Sequence, residues 1–397
     1  MKQLMIEKKP KQAQPTGKTR RFSATLMGYI TADMLWEGGQ TKTNETRPVY
    51  ITLAGSAAAL RPFLANFHSK GTRATRVDPN RSGWSKDSDW FRCLKSANYE
   101  AIWQRGVDNH IFSLHMDLGR AEWNETPLHV EKIASNNNLP LVVVSRPQGD
   151  LVQEIEDRME RLRGTGKPFW PSSAARYCTA DQKRSQADKY YRKFDLIISA
   201  EGNRAEESPK RRKDDPVSVR KQITAKPLQN LPVDEALETW IAVNRLLDAG
   251  DDTAVASQYP QFTRYSADNR PRLAITWYPI HDWKLEDVWY ACGTSASDLA
   301  MRQVMYQTAL ELEDSGGPEF DVERIKRKAL DGWPAHPAYV YGNERLSCAL
   351  CILANDNDLR NGARHQPDLA AHYIHLEEVG GATFKNGRSL TDILNGG

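Results

Sequence analysis

Leu139-Pro140-Leu141-Val142-Val143-Val144-Ser145 is a near-continuous apolar run about as long as one strand. A parallel strand covered by helices on both faces reads this way, because neither face meets water and nothing forces alternation. Outward from this run, Ile111-Phe112-Ser113-Leu114-His115-Met116 reads as the preceding strand and Asp195-Leu196-Ile197-Ile198-Ser199 as a later one. Helical patterns fill the gaps at Thr126 to Asn137, Asp150 to Arg163 and about 180–192. Further upstream, Val49 to Leu53 has strand composition, Ala54-Gly55-Ser56 reads as a turn and Ala57 to Phe67 as a helix. Strand and helix alternating at this spacing predict an α/β fold, a doubly wound and mainly parallel sheet over about 45–202.

Beyond that sheet, residues 205–230 are rich in charge and proline and read as a polar loop or insertion. Val233 to Leu247 follows as an amphipathic helix and Leu273 to Trp277 as a short strand, and the rest is mostly helical. The expected division is an irregular basic tail over 1–44, an α/β domain over 45–230 and a mostly helical region over 231–397. With 397 residues, 40% of them hydrophobic, one large α/β domain with appendages or two modest domains can be built.

The mean hydropathy of −0.65, with no apolar run of membrane length, predicts no membrane span. The first twenty-odd residues are polar and basic and lack the apolar stretch of a secretory signal, so the expected compartment is the cytoplasm. A net charge of +3 says little about partners, and the basic cluster Lys210 to Lys213 reads as a solvated loop. Five cysteines is an odd number, and Cys348 and Cys351 form a C-x-x-C pair. Without an export signal this favours thiols, a metal or redox work over disulfides.

Three constellations point to chemistry. Asp117-Leu118-Gly119-Arg120, Arg146 and Gly202-Asn203-Arg204 each follow a predicted strand. In an open parallel sheet such positions line the rim where ligands bind, and arginine there suits an anionic or phosphate-bearing ligand. In Arg176-Tyr177-Cys178-Thr179-Ala180-Asp181-Gln182-Lys183, Thr179 and Gln182 have capping-box spacing, which predicts a helix from Ala180. Cys178 would then precede a helix N-terminus, with Arg176 and Lys183 nearby, a setting that lowers a thiol pKa and favours thiolate. In Cys348-Ala349-Leu350-Cys351 two intervening residues let both thiolates reach one metal or cluster, and Cys178 is the obvious third ligand. His336, His365 and His372 read as surface or packing residues, and Cys292 as core.

Taken together these segments resemble the phosphoadenosine-phosphosulfate-reductase-like family of the nucleotide α-hydrolase (PP-loop) superfamily. The resemblance runs through His115 to Trp123, Arg176 to Lys183, Gly202 to Ser208 with Arg211, Trp277 to Trp283 with Val288-Trp289, His336 to Tyr339 and Arg345 to Cys351. It implies a sheet that binds an adenine nucleotide, ATP or a sulfonucleotide, with chemistry at a phosphate or sulfate group. Asp117, Gly119 and Arg120 would lie by the nucleotide, with Arg176, Lys183 and Gly202, while Arg204, Ser208 and Arg211 would face its anionic end. Cys178, Arg204 and Ser208 are the expected catalytic residues. Cys178, Cys348 and Cys351 would hold a [4Fe–4S] cluster or, alternatively, zinc.

Two departures from the family pattern shape the reading. No intact S-G-G-x-D-S phosphate loop is present; Ser82 to Ser88 stands at about the right distance before Asp117 and offers Lys86, Asp87 and Ser88 as its remnant. Ala54-Gly55-Ser56 has the flanking strand and helix but lies too far upstream. The C-terminal E-C-G-x-H segment of true sulfonucleotide reductases is missing. Three functions therefore stay open: sulfur transfer to a nucleic-acid or protein acceptor, sulfonucleotide reduction, and non-catalytic nucleotide binding with a structural zinc site.

Overall fold

The computed structural model describes residues 50–54, 111–137 and 139–396. The expected helix over 57–67 and the remnant Lys86, Asp87 and Ser88 lie outside these residues. In chain order the strands are β1 (Tyr50–Ala54), β2 (Ile111–Met116), β3 (Leu141–Val144), β4 (Leu196–Glu201), β5 (Val217–Val219) and β6 (Leu273–Trp277). The helices are α1 (Thr126–Asn136), α2 (Leu151–Leu162), α3 (Ser185–Tyr191), α4 (Val233–Asp248), α5 (Asp252–Gln258) and α6 (Leu285–Cys292). They continue as α7 (Ala296–Asp314), α8 (Glu319–Leu330), α9 (Asp356–His365), α10 (Pro367–Gly380) and α11 (Leu390–Leu394). The chain is α/β, and it divides into two compact units.

Among the described residues, one unit comprises 50–51 and 194–284. Here β4 and β6 run parallel in the register Leu196↔Leu273 to Ala200↔Trp277. Leu196 to Ala200 are all buried, as expected for a strand covered on both faces. β5 pairs antiparallel with β6 from Val217↔Trp277 to Val219↔Ile275. The stretch 205–230 is therefore not wholly a polar loop: Val217-Ser218-Val219 is a three-residue strand, too short to rise above the surrounding charge as a pattern. α4 packs on β5 and β6 with Leu237, Trp240, Ile241 and Leu247 buried, and Trp240 Nε1 donates to the Pro271 carbonyl at 2.7 Å.

The other unit comprises the described residues of 52–54, 111–193 and 285–397. β2 and β3 run parallel in the register Ser113↔Leu141 to Met116↔Val144. β3 corrects the sequence reading, because it is only half-buried and Val143 is 54% exposed. α3 packs on both strands, with Phe112 meeting Tyr190 edge-on at 5.5 Å. Its core runs from α2 to the C-terminal helices, where Phe169, Trp170, Tyr373 and Phe384 form one aromatic group. The helical character expected of the C-terminal region is present in α6 to α11. Among the described residues no helix is long and apolar enough to cross a membrane.

Candidate functional site

The loop leaving β2 is built around Asp117. Its amide remains in the strand ladder, donating to the Val144 carbonyl at 2.9 Å, while its carboxylate accepts the Gly119 amide at 2.8 Å. That side-chain-to-backbone bond closes a tight turn, and Gly119 takes φ +62° within it. A Cβ on Gly119 would stand 2.5 Å from Asp150 Cβ, so glycine is needed for the turn to meet the start of α2.

Arg120 turns onto Asp150. Its Nε and Nη2 donate to the two carboxylate oxygens at 2.8 and 2.9 Å, its amide adds a bond of 3.1 Å, and Nη1 reaches Glu156 at 3.3 Å. Hydrogen bonding to Asp150 raises the already high guanidinium pKa. Burial alone would raise the Asp150 pKa, but Arg120 and the backbone donors outweigh it and hold the carboxyl below its usual range. Asp150 also caps α2 by accepting the Gln153 amide at 2.8 Å. The sequence places Arg120 beside a nucleotide; here its fork clamps the two strand-end loops together. After β3, Arg146 Nε lies 3.9 Å from Glu154, and its buried Nη1 has no hydrogen-bond partner.

The cysteine segment differs from its sequence reading. Tyr177–Thr179 is already one helical turn, with Arg176 at its N-cap, and a π-helical turn over Ala180–Arg184 leads into α3. Thr179 therefore caps nothing, and Cys178 sits inside the first turn rather than ahead of a helix. Gln182 is fully buried and donates to Glu154 Oε2 at 2.8 Å and to the Asp150 carbonyl at 3.2 Å. Tertiary partners for Gln182 displace the local cap. π-turns of this kind are frequent at functional sites. Tyr177 fixes the turn: its hydroxyl donates to the Phe169 carbonyl at 2.7 Å, and Arg158 lies 3.7 Å over its ring.

Cys348 and Cys351 lie in the loop before α9, which is tied to the β2 loop. The Ala349 amide donates to the Ala121 carbonyl at 3.1 Å, and Trp123 Nε1 donates to the Ser347 carbonyl at 2.9 Å. From the other side α9 approaches so closely that a Cβ on Gly362 would fall 1.9 Å from the Ala349 carbonyl oxygen.

The thiols overturn the expected thiolate at Cys178. Burial pushes its pKa up; the Thr179 hydroxyl, Lys183 and Arg176 pull it back only in part, and Cys351 pushes it further up. Burial carries Cys348 up to about 12, with Cys351, Cys178 and Glu122 adding to the rise and Lys183 opposing it. The three sulfurs thus interact electrostatically, and burial favours the protonated form of Cys178 and Cys348. A metal ion would invert this balance, since a coordinated thiol is deprotonated outright.

In the 194–284 unit, Gly202 and Arg204 follow β4. Arg204 is turned inward, with Nη1 2.8 Å from Glu206 and Nε 3.4 Å from Glu207, and Arg211 also pairs with Glu207. Ser208 Oγ accepts the Arg211 amide at 3.1 Å. His281 anchors this loop: its Nε2 lies 3.0 Å from the Arg211 carbonyl oxygen, and its own carbonyl accepts the Ala205 amide at 2.8 Å.

His336 and His365 are packing residues, as expected. His336 Nδ1 accepts the Ala338 amide at 3.1 Å, and His365 stacks on Tyr341 at 3.8 Å. His372 Nε2 lies 2.7 Å from Glu156. Two residues that shape the site went unassigned in the sequence: Arg158 and Gly362. Of these only Gly362 leaves a trace there, as a glycine inside a helical pattern (a place that implies a close backbone approach).

Residues 101–298 match a family model described as the phosphoadenosine phosphosulfate reductase domain. The matched span takes in the loops after β2, β3 and β4 and the Cys178 turn, and stops short of Cys348 and Cys351. Comparison with curated proteins finds no match, and neither does comparison with solved structures.

Proposed function

Because residues 101–298 place this chain in the phosphoadenosine phosphosulfate reductase family of the adenine nucleotide α-hydrolase superfamily, we propose that it binds an adenine nucleotide and serves sulfur transfer or related sulfonucleotide chemistry. The observation that carries this reading lies within one unit. The 117–122 loop, where the nucleotide is expected, is hydrogen-bonded to the loop bearing Cys348 and Cys351, and Cys178 interacts electrostatically with both. Arg146 Nη1, a buried donor without a partner, adds a natural contact for an anionic group.

In this reading Cys178, Cys348 and Cys351 are the ligands of a metal centre, supported by the electrostatic interaction among their sulfurs. Cys178 and Cys348, whose pKa values burial raises, would release their protons most readily to a cation held beside them. A [4Fe–4S] cluster on three thiolates has one open iron, and exchangeable sulfur chemistry is what such a group supplies. The protein's own part is to hold the thiols beside the β2 loop, with Lys183 offsetting negative charge near Cys178 and Cys348. By the resemblance, Arg204 and Ser208 are proposed as contacts for an anionic group. The sulfur is proposed to pass to a nucleic-acid or protein acceptor.

Two measurements test the proposal. Calorimetry against ATP, adenylyl sulfate and its 3′-phosphorylated form should detect binding to at least one, and no affinity for any would end the nucleotide reading. Anaerobic purification followed by iron, sulfide and zinc analysis should find iron and sulfide, lost in Cys351→Ser. Zinc at one equivalent without iron would instead make the cysteines a structural site.

A further inference from the structure

His115, Asp117 and Glu122 each bring one potential ligand atom to a point where all three lie within 4.8 Å of one another. We propose that these residues bind a divalent first-row transition-metal ion, in a site separate from the cysteines.

The three ligand atoms lie close enough to share one ion. His115 Nε2 and Glu122 Oε2 are 3.1 Å apart. Neighbouring ligands about 2.1 Å from an octahedral ion stand roughly 3 Å apart, so this spacing needs little adjustment. The backbone holds each ligand from a different direction. His115 and Asp117 are two residues apart at the end of β2 and so project to the same side, and the β2–β3 register sets His115 opposite Val143. The Gly119 amide fixes one oxygen of Asp117. Glu122 follows the short 3-10 turn Gly119–Ala121, which the Ala349 amide grips at Ala121 O, and its own carbonyl accepts Gln366 Nε2. Side chains held this firmly lose little entropy on binding an ion.

The ligand chemistry narrows the ion. One imidazole with two carboxylates suits Mn²⁺, Fe²⁺ or Zn²⁺ better than Mg²⁺ or Ca²⁺, which prefer all-oxygen shells, and better than Cu⁺, which prefers sulfur. Left alone, the imidazole can pair with only one carboxylate at a time, and two like charges at this separation repel. A divalent cation neutralises both carboxylates and takes the neutral imidazole, with any imidazolium proton released to solvent. Three protein ligands leave open positions, as in metal sites that also bind an exchangeable group.

The test uses MnCl₂ as the probe on the full-length protein, after chelator treatment and at neutral pH. Calorimetry and the electron paramagnetic resonance signal of free Mn²⁺ should give one site in the wild type and in Cys178→Ala/Cys351→Ala. The near-isosteric Glu122→Gln and Asp117→Asn should weaken it by about tenfold or more, since affinity follows the charge count of the ligands. Crystals of the wild type soaked in MnCl₂ should show anomalous scattering between His115, Asp117 and Glu122, a readout that needs no variant to fold. Absence of Mn²⁺ binding at millimolar concentration, unchanged affinity in both variants, or scattering only at the cysteines would overturn the proposal. Nucleotide calorimetry in EDTA is a separate measurement, so the failure of either reading is visible apart from the other.

Discussion

Gly119 and Gly362 are the residues at which the site is most exposed to a single methyl group. Gly119→Ala forces a side chain into the left-handed region and onto Asp150, and we expect a loss of about 1–3 kcal/mol by urea denaturation. Gly362→Ala tests the opposite intuition. Helix propensity alone predicts a gain of up to about 1 kcal/mol, yet the new Cβ would meet the Ala349 carbonyl, so we expect a net loss together with a lower metal content. A stabilised variant with unchanged metal would show that α9 does not constrain the cysteine loop. Arg204→Ala should weaken adenine-nucleotide binding by about 1.5–3 kcal/mol if the guanidinium meets the anionic end, measured by calorimetry. Its pairing with Glu206 and Glu207 sets a second expectation: removing either acid should strengthen binding, because the arginine would then be less neutralised.

At the scale of elements, the start of α2 is the keystone of the rim. Asp150 caps the helix and receives the Arg120 fork at once. Asp150→Ala removes the cap and leaves Arg120 with Glu156 alone, so we expect a loss of about 2–3 kcal/mol in the urea midpoint analysis. Because the Asp150 pKa is held down, its stabilisation is present above the unfolded carboxyl pKa near 3.9. It is lost as the pH falls through the lower folded value. β3 should behave differently. Val143 is half-exposed, and Val143→Thr should change stability by no more than about 0.5 kcal/mol, whereas a strand buried on both faces would lose more.

For the larger packed body, acid sensitivity should be set by its buried and half-buried histidines. Burial, with Lys132 close by, lowers His129 to about 4. Burial and His129 lower His336 to about 3, and burial lowers His365 to about 4. Imidazoles in the unfolded chain titrate near 6.5, so the unfolded state takes up protons first as the pH falls. Stability from this cluster is therefore complete above about pH 6.5 and declines as the pH drops toward 4, by about 3 kcal/mol for His365 alone. Urea midpoints measured from pH 7.5 to 5 should fall steadily, and His365→Phe should flatten the slope. A midpoint independent of pH over this range would remove these histidines as the cause.

The sequence by itself determined the α/β class, the positions of β2, β4, β6 and α4, and the residues that stand at the strand ends. Those features rest on local apolar patterns, runs in the strands and helical spacing in α4, which are visible without knowing the neighbours. The C-x-x-C pair was legible for the same reason, since its spacing is local. Only the tertiary structure decided that Val143 faces outward, that Gln182 turns inward to Glu154 rather than capping a helix, and that Cys178 lies within the first turn. It also reversed the sign of the Cys178 pKa shift. A helix terminus and two cations argue for thiolate from neighbours in the chain, but desolvation depends on what packs over the sulfur, and here that contribution is the largest. Burial, partner choice and charge balance are set by residues far apart in the chain, and no local pattern encodes them.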